Sequence, residues 1–232
     1  MQAIILAGGK GTRLRPYTTI LPKPLMPIGD KAILEIVILQ LKKEGFSELV
    51  FTVGYLGELI EAYFGDGSKW GVKIRYSRES EPLGTAGPLT LIDGLDEDFL
   101  VMNGDILCNL DFNKFMKEHV SGGFGLSICG YVKKVKIDLG ILEFKGEKLS
   151  DYIEKPEYEY KTGMGIYAMN RSVVSGMPKA KYYDFPTLIK DRIKKGENVG
   201  VHHFKGKWFD IGAVDDYQSA VEEFSGNPSI FQ

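Results

Sequence analysis

Histidine and cysteine are scarce in this 232-residue sequence, with three of the first and two of the second. Cys108 and Cys129 fall in no metal-binding or C-x-x-C spacing, so they are expected to be buried free thiols in a reducing cytosol. His202 and His203 are adjacent, and neighbours on a strand point to opposite faces, which excludes a shared metal; His119 stands alone. No apolar run approaches the ~20 residues that span a bilayer. The first apolar stretch begins at Ala3, which leaves no room for a cleaved leader, so the sequence predicts a cytoplasmic location and no membrane partner. A formal charge of only −2 removes bulk attraction to nucleic acid. Attraction to a phosphate must therefore come from locally placed cations.

What is present is an ordinary globular composition, 44% hydrophobic and 26% charged, with enough length for one substantial core in a single domain. The densest signal is at the start. Ala3–Ala7 reads as a buried strand that breaks into Gly8-Gly9-Lys10-Gly11-Thr12-Arg13, with Pro22-Lys23-Pro24 close behind. Glycines at a strand end let backbone N–H groups approach a phosphate without a Cβ in the way. Arg13 and Lys23 add two cations, and flanking prolines fix the Lys23 backbone. Walker A is excluded, because Gly11 is followed by Thr12 and Arg13; G-x-G-x-x-G is excluded, because the run from Gly9 ends in Leu14.

Periodicity then alternates. Helical stripes are predicted over 32–44, 56–64 and 85–92, and strands over 48–53, 72–76 and 99–103, a pattern that implies a doubly wound, mostly parallel sheet. Beyond residue 110 the chain is richer in strands, predicted at 124–131, 140–144, 163–169 and 199–203, with helices at 185–194 and 214–224. In open α/β sheets ligands bind beyond the carboxyl ends of the strands. The glycine loop, Gly54-Tyr55 and Asn103-Gly104-Asp105 all fall there. Asp105 follows the apolar run Phe99–Met102, which would hold a carboxylate rigidly, and Mg²⁺ takes few protein ligands beside phosphate oxygens. No Ser/His/Asp arrangement accompanies these motifs, in keeping with chemistry that needs no covalent intermediate.

The block Gly8–Pro16 with Pro22–Leu25 resembles the signature of the sugar-1-phosphate nucleotidylyltransferases, also called nucleotide-sugar pyrophosphorylases. Glu81–Gly87, Asn103-Gly104-Asp105, Glu154-Lys155-Pro156, Gly165-Ile166-Tyr167 and Trp208–Gly212 follow in family order, so that the resemblance runs from Met1 to about Tyr217. It is closest to mannose-1-phosphate guanylyltransferase-like members without a C-terminal left-handed β-helix. A hexapeptide-repeat domain, with its acyl transfer and trimerisation, is not expected.

The resemblance implies a Rossmann-like nucleotidyltransferase fold, Mg²⁺, and an NTP and a sugar-1-phosphate as substrates of a monomer or homodimer. It implies a nucleotide half at about 1–110 and a sugar-phosphate half at about 111–232. Leu6, Ala7, Gly8, Gly9, Gly11 and Thr12 would cradle the triphosphate with Asn103 and Gly104. Arg13, Lys23 and Asp105 would be catalytic, with Asp105 and Asp210 sharing the metal. Glu81, Gly84 and Thr85 would meet the base, Thr85 also capping the next helix, and Gly140, Glu154, Lys155, Gly165 and Tyr167 the sugar phosphate. A carboxylate such as Glu81 can accept from the N1–H and N2–H₂ edge of guanine, so the expected pair is GTP and mannose-1-phosphate. Heptose-1-phosphate guanylyl transfer, uridylyl or cytidylyl transfer, and a silent nucleotide-sugar-binding subunit stay open. One departure bears on the sugar: Gly163 stands where many relatives carry an asparagine.

Overall fold

The structure is a computed structural model that describes residues 1–231. Its chain order is β1 (Gln2–Ala7), β2 (Pro27–Ile28), β3 (Lys31–Ala32), α1 (Ile33–Lys43), β4 (Glu48–Val53), α2 (Gly57–Phe64), β5 (Lys73–Arg78), β6 (Asp98–Asn103) and β7 (Ile106–Cys108). There follow α3 (Phe112–Ser121), β8 (Leu126–Lys136), β9 (Ile141–Lys145), β10 (Lys148–Ile153), β11 (Glu157–Asn170), α4 (Arg171–Ser175), α5 (Phe185–Lys194), β12 (Val199–Phe204), β13 (Trp208–Asp210) and α6 (Val214–Gly226).

Seven strands make one sheet in the order β12-β8-β11-β6-β1-β4-β5. All neighbours are parallel except β11, which runs antiparallel to both β6 and β8. The central strands carry continuous apolar runs, Ala3–Ala7, Leu49–Phe51 and Phe99–Met102, because both faces are covered. Ala3, Ile5, Leu49, Phe51, Leu100 and Met102 point into one core with α1. Ile4, Val50, Phe99 and Val101 point into another with α5. The expected fold class, a doubly wound, mostly parallel mixed sheet in one domain, is what the chain adopts.

β1 lies between β4 and β6, so the chain leaves it to one side and later returns on the other. That reversal opens a crevice at the carboxyl ends of the central strands.

Several boundaries differ from the sequence reading. The predicted helix over 85–92 is a 3₁₀ turn, Gly87–Leu91, since Pro88 has no N–H and the Ala86 and Gly87 N–H groups donate to the Tyr183 carbonyl. A Cβ at Gly87 would stand 2.6 Å from the Lys181 carbonyl. Thr85 therefore does not cap its own segment; its Oγ1 accepts from the Phe185 N–H at 3.0 Å, the first residue of α5. β11 begins at Glu157, not 163, because its outer half pairs with β8 as an exposed ribbon whose polar residues gave no buried signature. The strand predicted at 140–144 is half of the β9–β10 hairpin. β7 and β13 form a two-stranded sheet that the sequence reading omitted.

Candidate active site

A cleft of ≈ 760 Å³ occupies the crevice. Leu6, Ala7, Gly8, Gly9, Gly11, Lys23, Glu81, Gly84, Thr85, Asn103, Gly104 and Asp105 all line it. The glycine loop is shaped from within. Gly11 sits at φ 58°, and its carbonyl accepts from the buried Thr18 hydroxyl at 2.7 Å. A Cβ at Gly11 would stand 3.0 Å from Thr18 Cγ2. The Gly104 N–H donates to the Leu6 carbonyl at 2.9 Å, and a Cβ there would be 3.1 Å from that oxygen, so β1 and the β6 loop meet as bare backbone.

The charges gather at one end. Lys23 Nζ donates to Asp105 Oδ2, and both side chains are largely buried. Asp105 Oδ1 is buried with no hydrogen-bond partner among the described residues. The Ile211 N–H donates to the Asp105 carbonyl at 3.1 Å, and Asp210 pairs with Ile106 across the β13–β7 sheet, so backbone bonds bring the second aspartate alongside. Desolvation, followed by the Asp105 charge, holds the Asp210 carboxyl above its ordinary range, against the opposing pull of Lys23 and Arg13. The Arg13 guanidinium lies over Gly212, whose Cβ would stand 3.0 Å from it. Arg13 and Thr12 form the exposed 3₁₀ turn that follows Gly11.

An orphaned carboxylate oxygen beside a carboxyl destabilised by its neighbour fits a divalent cation. No group of three or more His, Cys, Asp or Glu gathers among the described residues. The protein thus offers two carboxylates, and phosphate oxygens and water would complete the coordination, as Mg²⁺ prefers.

The residues expected at the sugar phosphate are divided. Gly165, at φ 72°, packs against the cleft: a Cβ would stand 2.7 Å from Asn103 Nδ2. Gly140 and Glu154 meet at Tyr152, whose hydroxyl donates to Glu154 at 2.8 Å and fills the space that a Gly140 side chain would need. Lys155 follows at φ 42°, a left-handed conformation that costs a non-glycine residue about 1–2 kcal/mol and so marks a constrained turn. The Pro156 carbonyl accepts from the Ile137 N–H at 3.0 Å, which ties that turn to the end of β8. None of Gly140, Glu154 and Lys155 lines the cleft. Tyr167 departs furthest from expectation. Its ring stacks on Phe185 at 3.8 Å between centroids and 1° between planes, packed against the second core. Burial pushes its hydroxyl up to about 12.

Sequence reasoning missed Glu79. Its Oε2 accepts from the Leu83 N–H at 3.0 Å, and Oε1 lies 2.9 Å from where a Gly8 Cβ would be. Glu81 is an exposed rim residue by comparison. The available signal was position, since Glu79 is the first residue beyond β5, at the carboxyl end of a parallel strand. Tyr182, reached from residues 177–184, also lines the cleft beside Gly84 and had no local signature.

Comparison with known proteins gives a consistent result. Residues 2–225 match the family described as nucleotidyl transferase. The chain is 34% identical over 95% of its length to a mannose-1-phosphate guanylyltransferase catalytic subunit beta from Dictyostelium discoideum, covering 64% of that protein. It is 34% identical, again over 95%, to a UTP–glucose-1-phosphate uridylyltransferase from Synechocystis, covering 62% of it. The chain thus spans somewhat less than two thirds of these curated relatives. HddC from Yersinia pseudotuberculosis superposes with a TM-score of 0.74 at 26% identity, over 96% of this chain and 99% of that one. A complex of HddC with GMP-PN superposes at 0.73.

Proposed function

The chain belongs to the nucleotidyl transferase family, and from that membership we propose that it joins an NTP to a sugar-1-phosphate, releasing pyrophosphate and an NDP-sugar. The substrates we assign are GTP and mannose-1-phosphate. An oxygen of the sugar phosphate attacks the α-phosphorus, that O–P bond forms, and the bond to the β-phosphate oxygen breaks. Both reactants are anions, so the barrier falls when cations are fixed in place beforehand.

The observation that carries this reading is the convergence of Lys23, Arg13, Asp105 and Asp210 beside the glycine loop. Gly8, Gly9 and Gly11 present backbone to the triphosphate. Arg13 neutralises charge that grows on the leaving pyrophosphate. Lys23, released from Asp105, serves the α-phosphate. Asp105 and Asp210 would hold Mg²⁺, which supplies charge neutralisation when bound. Glu154 and Lys155, on the turn outside the cleft, are our candidates for the sugar phosphate, and we divide the chain into a nucleotide half at about 1–110 and a sugar-phosphate half at about 111–232. The two buried free thiols favour a reducing cytoplasm.

Guanine is favoured because the site offers an acceptor, Glu79, inside the cleft, and because a guanine-nucleotide complex is known for HddC. Pyrophosphate release from each of the four NTPs, crossed with a panel of sugar-1-phosphates, tests the reading. GTP with a manno-configured acceptor is expected to give the highest kcat/KM. A faster reaction with UTP, dTTP or CTP overturns the guanylyl assignment, and no release from any pair overturns the transferase reading itself.

A further inference from the structure

A second cavity of ≈ 370 Å³ lies behind the base-side wall of the cleft, between the 3₁₀ turn Gly87–Leu91, residues 92–95, α4 and residues 177–179. Leu89, Ile92, Val174 and Met177 give it an apolar floor continuous with the second core. Arg171 and Lys179 stand at its edge, and neither side chain has an ion-pair partner among the described residues. One carboxylate, Asp93, shares the lining, so the local balance is positive. A guanidinium fork and an ammonium suit a phosphate, and the floor suits a compact apolar or planar body attached to it.

The cavity and the cleft are built from the same two segments. In the 3₁₀ turn, Pro88 faces the cleft, whereas Leu89 and Thr90 face the cavity. In the segment 177–183, Met177 and Lys179 face the cavity, whereas Tyr182 faces the cleft. Thr90 joins the two segments: its hydroxyl donates to the Gly87 carbonyl at 2.8 Å and accepts from the Ala180 N–H at 3.1 Å. Ala180 is held there at φ 52°, a conformation rare for a residue with a side chain. Little slack separates them from the base loop. The Tyr183 carbonyl accepts from the Ala86 and Gly87 N–H groups at 2.9 and 2.8 Å, and its own N–H donates to Leu83 at 2.9 Å. A shift of the 177–183 segment therefore moves residues 83–87, of which Gly84 and Thr85 line the cleft.

We propose that this cavity is an effector site for a small phosphate ester, and that its occupancy changes the affinity of the adjoining cleft for nucleotide. The site lies outside the proposed reaction and can be measured by binding alone. Phenyl phosphate, which pairs a phosphate with a planar apolar body, is the probe, titrated calorimetrically into the whole chain with and without saturating GTP. One equivalent is expected to bind in the presence of GTP, and inorganic phosphate is expected to bind at least tenfold more weakly. The Arg171→Glu, Lys179→Glu double variant should lose phenyl phosphate affinity at least tenfold while binding GTP like the wild type. Arg171→Ala should show an intermediate loss, which guards against a folding defect in the double variant. Phenyl phosphate should shift the Kd for GTP severalfold, and GTP must shift the Kd for phenyl phosphate by the same factor. Absence of the one equivalent at saturating GTP, or an unchanged affinity in the double variant, overturns the site. Equal binding of inorganic phosphate overturns the role of the apolar floor. Binding that leaves the GTP Kd unmoved overturns the coupling.

Discussion

The carboxylate of Glu79 reaches so close to Gly8 that a methyl group on that glycine would stand 2.9 Å from Oε1. The same oxygen lies 3.2 Å from where a Gly54 Cβ would be, so one side chain touches the loops that follow β1 and β4. The other oxygen holds the Leu83 N–H at the start of the base loop.

Glu79 and Glu81 are therefore separable. Glu79→Gln turns one accepting oxygen into a donor and is expected to lower kcat/KM for GTP by about tenfold or more, with a smaller loss for UTP. Glu81→Gln, at the exposed rim, should change either by less than about twofold. Steady-state kinetics with both nucleotides decide this, and a larger GTP loss in the Glu81 variant would return the base contact to that residue.

How far the sequence alone reached follows from the same pair. Motifs at the ends of buried strands were legible, because a continuous apolar run announces itself and whatever follows it lies at the sheet edge. The glycine loop and Asp105, which line the cleft, were read that way. Glu79 was not, since β5 is an edge strand with three partly buried positions, Arg75, Tyr76 and Ser77, and its end reads poorly. Tyr167, which stacks on Phe185, was hard to place for a different reason. A strand residue faces one side or the other by register, and the irregular pairing between Gly163 and Tyr167 shifts that register. No local pattern reports such a shift.

Gly165 couples the sheet to the cleft through Asn103. Gly165→Ala places a Cβ at φ 72° and 2.7 Å from Asn103 Nδ2, so the backbone alone costs about 1–2 kcal/mol. The midpoint of thermal unfolding should fall by roughly 2–8 °C for a chain of this size. Because Asn103 must move, kcat/KM should fall about tenfold or more, as a misplacement near 1 Å can cost ~10²-fold. Differential scanning calorimetry with pyrophosphate-release kinetics measures both, and full activity alongside an unchanged Tm would refute the contact.

Tyr167 is predicted to matter for stability and little for the sugar phosphate. Tyr167→Phe keeps the stack on Phe185 and removes a hydroxyl whose pKa lies at about 12, so KM for the sugar phosphate should change by less than about twofold. Tyr167→Ala removes a ring from the second core and should cost about 2–4 kcal/mol. A Phe variant with strongly raised KM and wild-type stability would restore Tyr167 to the substrate site.

Asp210 lends stability a pH dependence. Its folded pKa lies above the ordinary 3.8, so ionising it opposes folding. The sign follows directly: its contribution to stability is fully present below 3.8 and is lost as pH rises through the folded pKa, leaving the full cost at neutral pH. Asp210→Asn is therefore expected to raise Tm at pH 7, by an amount that vanishes below pH 3.8. The same substitution should cut turnover on the order of 10²-fold, because a carboxylate proposed to hold the metal is gone. Adding Mg²⁺ should raise Tm for the wild type at pH 7, less so as acid protonates Asp210, and hardly at all for the Asn variant. Thermal scans across pH with and without Mg²⁺ read all three effects. A variant that is less stable than the wild type at pH 7, yet turns over normally, would show that Asp210 is a turn residue and not a metal ligand.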